Sequence, residues 1–141
     1  MTDYKDTYKK IKPETVQLIR KFIEEKKAWN KGSFESKMND YRTLLTNLCA
    51  VYKVSIPQFF VNPKDKNLKA MRGFYNPAND VIGMHKFSLV TFLHEFKHML
   101  QHKTGKINDE EVARGWSVSL FYQASPKAYE RAVRKGLLLF K

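Results

Sequence analysis

Apolar side chains return at helical intervals from Pro13 to about Trp29, at Val16, Ile19, Phe22 and Ile23. That spacing predicts a first helix. Proline suits its opening turn, and Glu14 complements the positive end of the dipole there. Asn30-Lys31-Gly32 reads as its stop. Ser33 can then cap a second helix, along which Phe34, Met38, Tyr41, Leu45, Leu48 and Tyr52 form one stripe. After it the pattern turns β-prone, with Ile56-Pro57-Gln58-Phe59-Phe60-Val61 as a strand and Asn62 to Lys66 as a loop. Ala70 to Tyr75 and Val81 to Met84 read as two short strands joined by the turn formers Asn76-Pro77-Ala78-Asn79-Asp80, which together make a hairpin. Helical spacing resumes after Ser88, at Leu89, Phe92, Leu93, Phe96, Met99 and Leu100, and Lys103 with Gly105 ends that helix near His102. Asn108 is the expected cap of the next, running through Val112, Ala113, Trp116 and Leu120. Ser125-Pro126 opens the last, with Gly136 as its stop. The order α-α-β-β-β-α-α-α keeps helices and strands apart, which predicts an α+β fold and not alternating parallel βαβ units.

Bulk properties narrow this picture. A chain of 141 residues with 43% hydrophobic content is one domain with a real core. Neither repeats nor a Gly/Ser linker divide it. The polar residues 1–12 read as a frayed tail, leaving 13–141 as the domain. No apolar run approaches the ~20 residues of a membrane span, and the charged N-terminus does not read as a secretory signal. The single Cys49, set in an apolar helical pattern, reads as a buried inert thiol. These features predict a soluble, cytoplasmic protein. The net charge of +12 is spread along the chain. It either attracts nucleic acid or another acidic partner, or is a lysine-rich solvated surface. No nucleic-acid motif accompanies it.

The chemistry is concentrated in His94-Glu95-Phe96-Lys97-His98. Histidines four apart on a helix share one face, one turn apart, and can bind one metal ion. Glu95, rotated off that line, can lean over the ion and take a proton from a water held there. H-E-x-x-H inside a helix is the metalloprotease pattern of zinc. The flanking Leu93, Phe96 and Leu100 place the motif in a packed helix, where two histidines and a glutamate without a partner would be costly. A catalytic zinc needs a third protein ligand. His102 lies eight residues beyond His94, about 12 Å along the axis, too far to share the ion. His85 precedes the helix with no geometry to select it. The short turn Lys103 to Ile107 folds the next helix back, so its acidic start, Asn108-Asp109-Glu110-Glu111, returns near His98. Asn108 and Glu111 fit a capping box, which gives Glu111 a structural task and favours Glu110 as the third ligand, with Glu111 the alternative.

The run His94 to Gln101 followed by Glu110 to Ser117 resembles the minimal gluzincins, and most nearly the small ImmA/IrrE-like metallopeptidases of phages and mobile elements. In such proteins a glutamate three residues before a small residue completes the zinc site. The resemblance implies that Glu110, with Ala113 as the small residue, joins His94 and His98, and that Glu95 is the catalytic base. It implies a zincin-like fold, with a small antiparallel sheet packed on the motif helix, further helices, and an edge hairpin at 72–84 that aligns an extended peptide by β-addition. Where relatives carry Asp or Asn after the alanine, to hold a zinc histidine, this chain has Arg114. A weaker resemblance to SprT-like proteases, which act on DNA-attached proteins, would account for the basic charge.

The expected activity is therefore peptide hydrolysis with Zn2+, in which Tyr75, Tyr122 or His102 could stabilise the oxyanion. Two readings compete with it. One is a non-catalytic basic module that binds nucleic acid or a protein. The other is a structural zinc site, which would need a fourth protein ligand.

Overall fold

The structure, a computed structural model, describes residues 4–138. Six helices and three short strands follow one another as α1 (Pro13–Glu24), α2 (Phe34–Tyr52), β1 (Gln58–Val61), α3 (Lys66–Met71), β2 (Gly73–Asn76), β3 (Val81–Met84), α4 (Leu89–Lys103), α5 (Glu110–Ala124) and α6 (Pro126–Arg134). The α+β class expected from the sequence is the one observed.

Caps explain most boundaries. The hydroxyls of Ser33, Ser88 and Ser125 accept hydrogen bonds from Ser36 N, Thr91 N and Ala128 N at the starts of α2, α4 and α6. Gly136, at φ 65°, closes α6 with bonds from its own N–H to Val133 O and from Leu137 N to Ala132 O. Several boundaries differ from expectation, among them that of β1, which begins at Gln58 and not at Ile56. The first helix stops at Glu24 because Lys26 turns left-handed (φ 61°), and only a 3-10 turn, Lys27–Trp29, continues it. Asp65 caps a helix nobody would read from the apolar spacing, since its carboxylate accepts from Asn67 N and Leu68 N. Ala70 and Met71, expected in a strand, are therefore helical, and the strand begins only at Gly73. The cap of α5 is Asp109, not Asn108, with Val112 N donating to its carboxylate.

The sheet also departs from the expected antiparallel one. Its order is β1-β3-β2, with β3 antiparallel to β2 through the hairpin but parallel to β1. Helix α3 carries the chain from β1 to the far side, so β3 enters the middle and the sheet is mixed. Strand β2 keeps one edge unpaired within it.

Beneath the sheet an aromatic core spans the helices. Phe96 stacks near Trp116 (centroids 6.1 Å) and Phe92 (6.5 Å) and meets Tyr52 edge-on, while Phe92 meets Tyr41 and Phe59. Helix α4 packs on α5, β2 and β3, and so ties both halves together. The expected frayed tail is not loose where it is described. Tyr8 N donates to Ser119 Oγ, which itself donates to Tyr4 O at 2.6 Å, and Gln123 Nε2 donates to Tyr8 O, so residues 4–8 lie along α5. Residues 1–3 of that tail, and the last three of the expected domain 13–141, fall outside the described residues.

Candidate metal centre

Residues that pack into the core and residues that carry the motif alternate along α4. Leu93, Phe96 and Leu100 turn inward, which fixes the rotation of the helix and leaves His94 and His98 side by side, with ring centroids 4.8 Å apart. Glu110, the first residue of α5, reaches back across the α4–α5 turn. Its Oε1 lies 2.5 Å from His94 Nε2 and 3.4 Å from His98 Nε2. Two ligands on a tetrahedral zinc ion, each bound at about 2.0–2.1 Å, stand about 3.3 Å apart. The three donors thus already surround one point, and small side-chain shifts would open it to an ion. The potential metal-ligating atoms of His94, Glu95 and His98 also fall within 4.8 Å of one another. One oxygen of Glu110 lies within 3.4 Å of both ring nitrogens, which suits it to the third position.

The neighbouring Glu111 is engaged elsewhere. It accepts from Tyr4 Oη at 2.8 Å and pairs with Arg114 Nη1 at 3.4 Å. Because Asp109 is the cap, Glu111 is not part of a capping box, and the reason given for setting it aside changes while the preference for Glu110 stays.

A residue that the sequence reading overlooked holds the geometry together. Gln101 is 4% exposed and sits three residues after His98 on the same helix. Its amide nitrogen donates to Asp109 O (3.0 Å), and its Oε1 accepts from Asp109 N (3.2 Å). The same Oε1 lies 3.1 Å from His98 Nδ1. A backbone N–H can only donate, so the Gln101 oxygen is an acceptor and His98 Nδ1 must supply the hydrogen. The Nε2 of His98 then faces Glu110, where it can serve as a metal ligand. The partner that Arg114 fails to provide is thus replaced from within the motif helix. Its signal, a glutamine at i+3 from the second histidine, was visible but carries no rule.

No protein-family model matches the chain, and no curated protein or solved structure matches it either. The site's chemistry rests on its own residues.

Burial sets the electrostatics. Desolvation pushes His94 down to about 4, outweighing the opposing pull of Glu110 and reinforced by His98. At neutral pH His94 is the uncharged imidazole that binds metals. Glu95, 7% exposed, is pushed up to about 8, first by desolvation and then by the charge on Glu110. A divalent cation beside it would favour its ionised form. Buried Cys49 is likewise driven up, to about 11, mainly by desolvation, so it is no nucleophile.

The site opens into a cleft of about 1230 Å³. His85, His102 and Tyr75 also line it. His102 sits in the wall and not at the donors. His85 is 9% exposed, and its Nδ1 has no hydrogen-bond partner among the described residues. The Tyr75 hydroxyl donates to Asp80 (2.9 Å), which Lys103 also holds. Tyr122, the other oxyanion candidate, does not line the cleft and packs on Tyr129 instead. Among the described residues no helix is long and apolar enough to cross a membrane.

Proposed function

We propose that this protein is a zinc-dependent peptidase of the minimal gluzincin kind, with His94, His98 and Glu110 holding the metal and Glu95 acting as general base. The observation that carries the reading is the convergence of two imidazole nitrogens and one carboxylate oxygen, contributed by two helices, beside a buried glutamate at the floor of a large cleft. Zinc, when bound, supplies a Lewis acid that polarises a carbonyl and brings the acidity of water towards neutrality. Glu95 accepts the proton of the attacking water and returns it to the departing amine, a task suited to a carboxyl whose surroundings favour holding a proton. Gln101 keeps the His98 ring turned with Nε2 towards the site. The unpaired edge of β2 offers main-chain groups to an extended peptide, and the close approach of Gly73 to Glu95 brings that edge to the base.

Elemental analysis should find one zinc per chain in the wild type and none in His94→Ala. Glu95→Gln should keep the zinc while peptide hydrolysis falls by about two to four orders of magnitude. A Glu95→Gln variant as active as the wild type would remove the mechanism. The basic charge supports a second reading, a non-catalytic module for nucleic acid, for which DNA affinity should drop steeply with added salt.

A further inference from the structure

Apart from the two carboxylates of the site, the charged side chains described on the cleft walls are five bases and no acid. Lys69, Arg72, Lys86, Lys106 and Arg114 line the cleft, and among the described residues its only carboxylates are Glu95 and Glu110, which belong to the site itself. Arg114 is balanced by Glu110 and Glu111. The side chains of Lys69, Arg72, Lys86 and Lys106 make no hydrogen bond or ion pair among the described residues.

Two of these cations sit where the edge strand meets the base. The Cβ that an alanine would place at Gly73 would lie 3.5 Å from Glu95 Cγ and 2.9 Å from Thr91 Cγ2, so β2 starts directly against the motif helix. Arg72 is the residue before it. It stands at φ 70°, ψ −39°, a backbone conformation that non-glycine residues avoid. Arg72 O accepts from His85 N at 2.9 Å, which brings Lys86, next in sequence, to the same end of the hairpin. A strained arginine that precedes the strand starting against Glu95, at the same hairpin end as a lysine and with a guanidinium that makes no hydrogen bond or ion pair among the described residues, fits a carboxylate on a bound chain. The adjoining free strand edge matches a peptide backbone and not a sugar-phosphate one.

We propose that the cleft selects peptides with acidic side chains beside the scissile bond, read by Arg72 and Lys86. This rests on the peptidase reading for its placement but not for its test, which reads binding. Zinc-loaded Glu95→Gln protein is titrated with fluorescein-labelled dodecapeptides that differ only in carrying Glu, Gln or Lys at alternate positions. The Glu peptide should bind about tenfold tighter than the Gln peptide at low salt, and the Lys peptide weakest. Arg72→Gly suits the backbone angle and so removes the cation without strain; it and Lys86→Glu should each shrink the gap about fivefold. Lys127→Glu, the same charge change on α6 away from the cleft, should leave it intact. Equal affinity for the three peptides would overturn the proposal. So would an equal loss in Lys127→Glu, which would assign the preference to net charge. Tighter binding of a single-stranded DNA dodecamer through Arg72 and Lys86 would overturn it in favour of nucleic acid. Acidic preference in binding, with no cleavage of the Glu peptide by the wild type, would support the acidic site and remove the hydrolysis.

Discussion

The two faces of α4 are built to different standards. On one, Phe92, Leu93, Phe96 and Met99 are each 0% exposed and interlock with Tyr41, Tyr52, Phe59 and Trp116. On the other, His94, Glu95 and His98 answer to few partners, and chiefly to polar groups of α5. Apolar packing tolerates no missing volume but asks for no particular chemistry. The polar face asks for specific atoms, and burial there raises the energy of the very charges it holds. The same helix thus stores stability on one side and reactivity on the other.

The largest break in this comparison is Phe96→Ala. Deleting a fully buried ring from the aromatic cluster should cost about 4 kcal/mol in urea unfolding. The surviving folded fraction should still bind zinc, because the rings that Phe96 meets, Tyr52, Phe92 and Trp116, are none of the donors. Loss of zinc from protein that remains folded would show that the two faces are not separable.

Proton linkage tests the polar face in metal-free protein. Glu95 is raised in the folded state, so its contribution is complete below its unfolded value of about 4.5 and is lost as pH climbs towards about 8. His94 is lowered, so its contribution is complete above about 6.5 and is lost as pH falls towards about 4. The two losses run in opposite directions and leave greatest stability between them. From pH 6.5 to 8 only the Glu95 effect acts, and one proton's linkage across that interval amounts to about 2 kcal/mol lost. Glu95→Gln should abolish this decline, and equal slopes in denaturant titrations of the two proteins would contradict the buried-carboxyl account.

These contrasts also explain what could be read in advance. The α4 stripe, its Ser88 cap and the motif spacing are local, and local rules recovered them. So did the reach of Glu110, because a short turn leaves an acidic helix start little else to approach. The missed features depend on relations between distant segments. Nothing in the alternation of Gln58 to Val61 says that its partner is β3, in parallel. The strand expected at Ala70 gave way to α3 because one carboxylate, Asp65, captured two backbone amides. The docking of residues 4–8 depends on Ser119 and Gln123, more than a hundred positions away.

Gln101 lies on the seam between the faces, and replacing it should give the smallest effect on stability and the sharpest distinction. Gln101→Met nearly keeps the volume and the burial, so the core side should not register the change. What it removes is a clasp on both backbone groups of Asp109 and the acceptor for His98 Nδ1. The freed backbone groups sit in partly solvated surroundings, which limits the stability cost to about 1 kcal/mol. Without its acceptor the His98 ring can rotate and change tautomer, and removing such a partner weakens metal binding by about 10- to 100-fold. Competition against a chelating zinc dye would read that loss directly, alongside a urea titration of the metal-free form. Weakened zinc affinity with nearly unchanged stability would place Gln101 on the reactive face. Unchanged affinity would mean that packing alone orients His98, and the division between the faces would then run between His98 and Gln101.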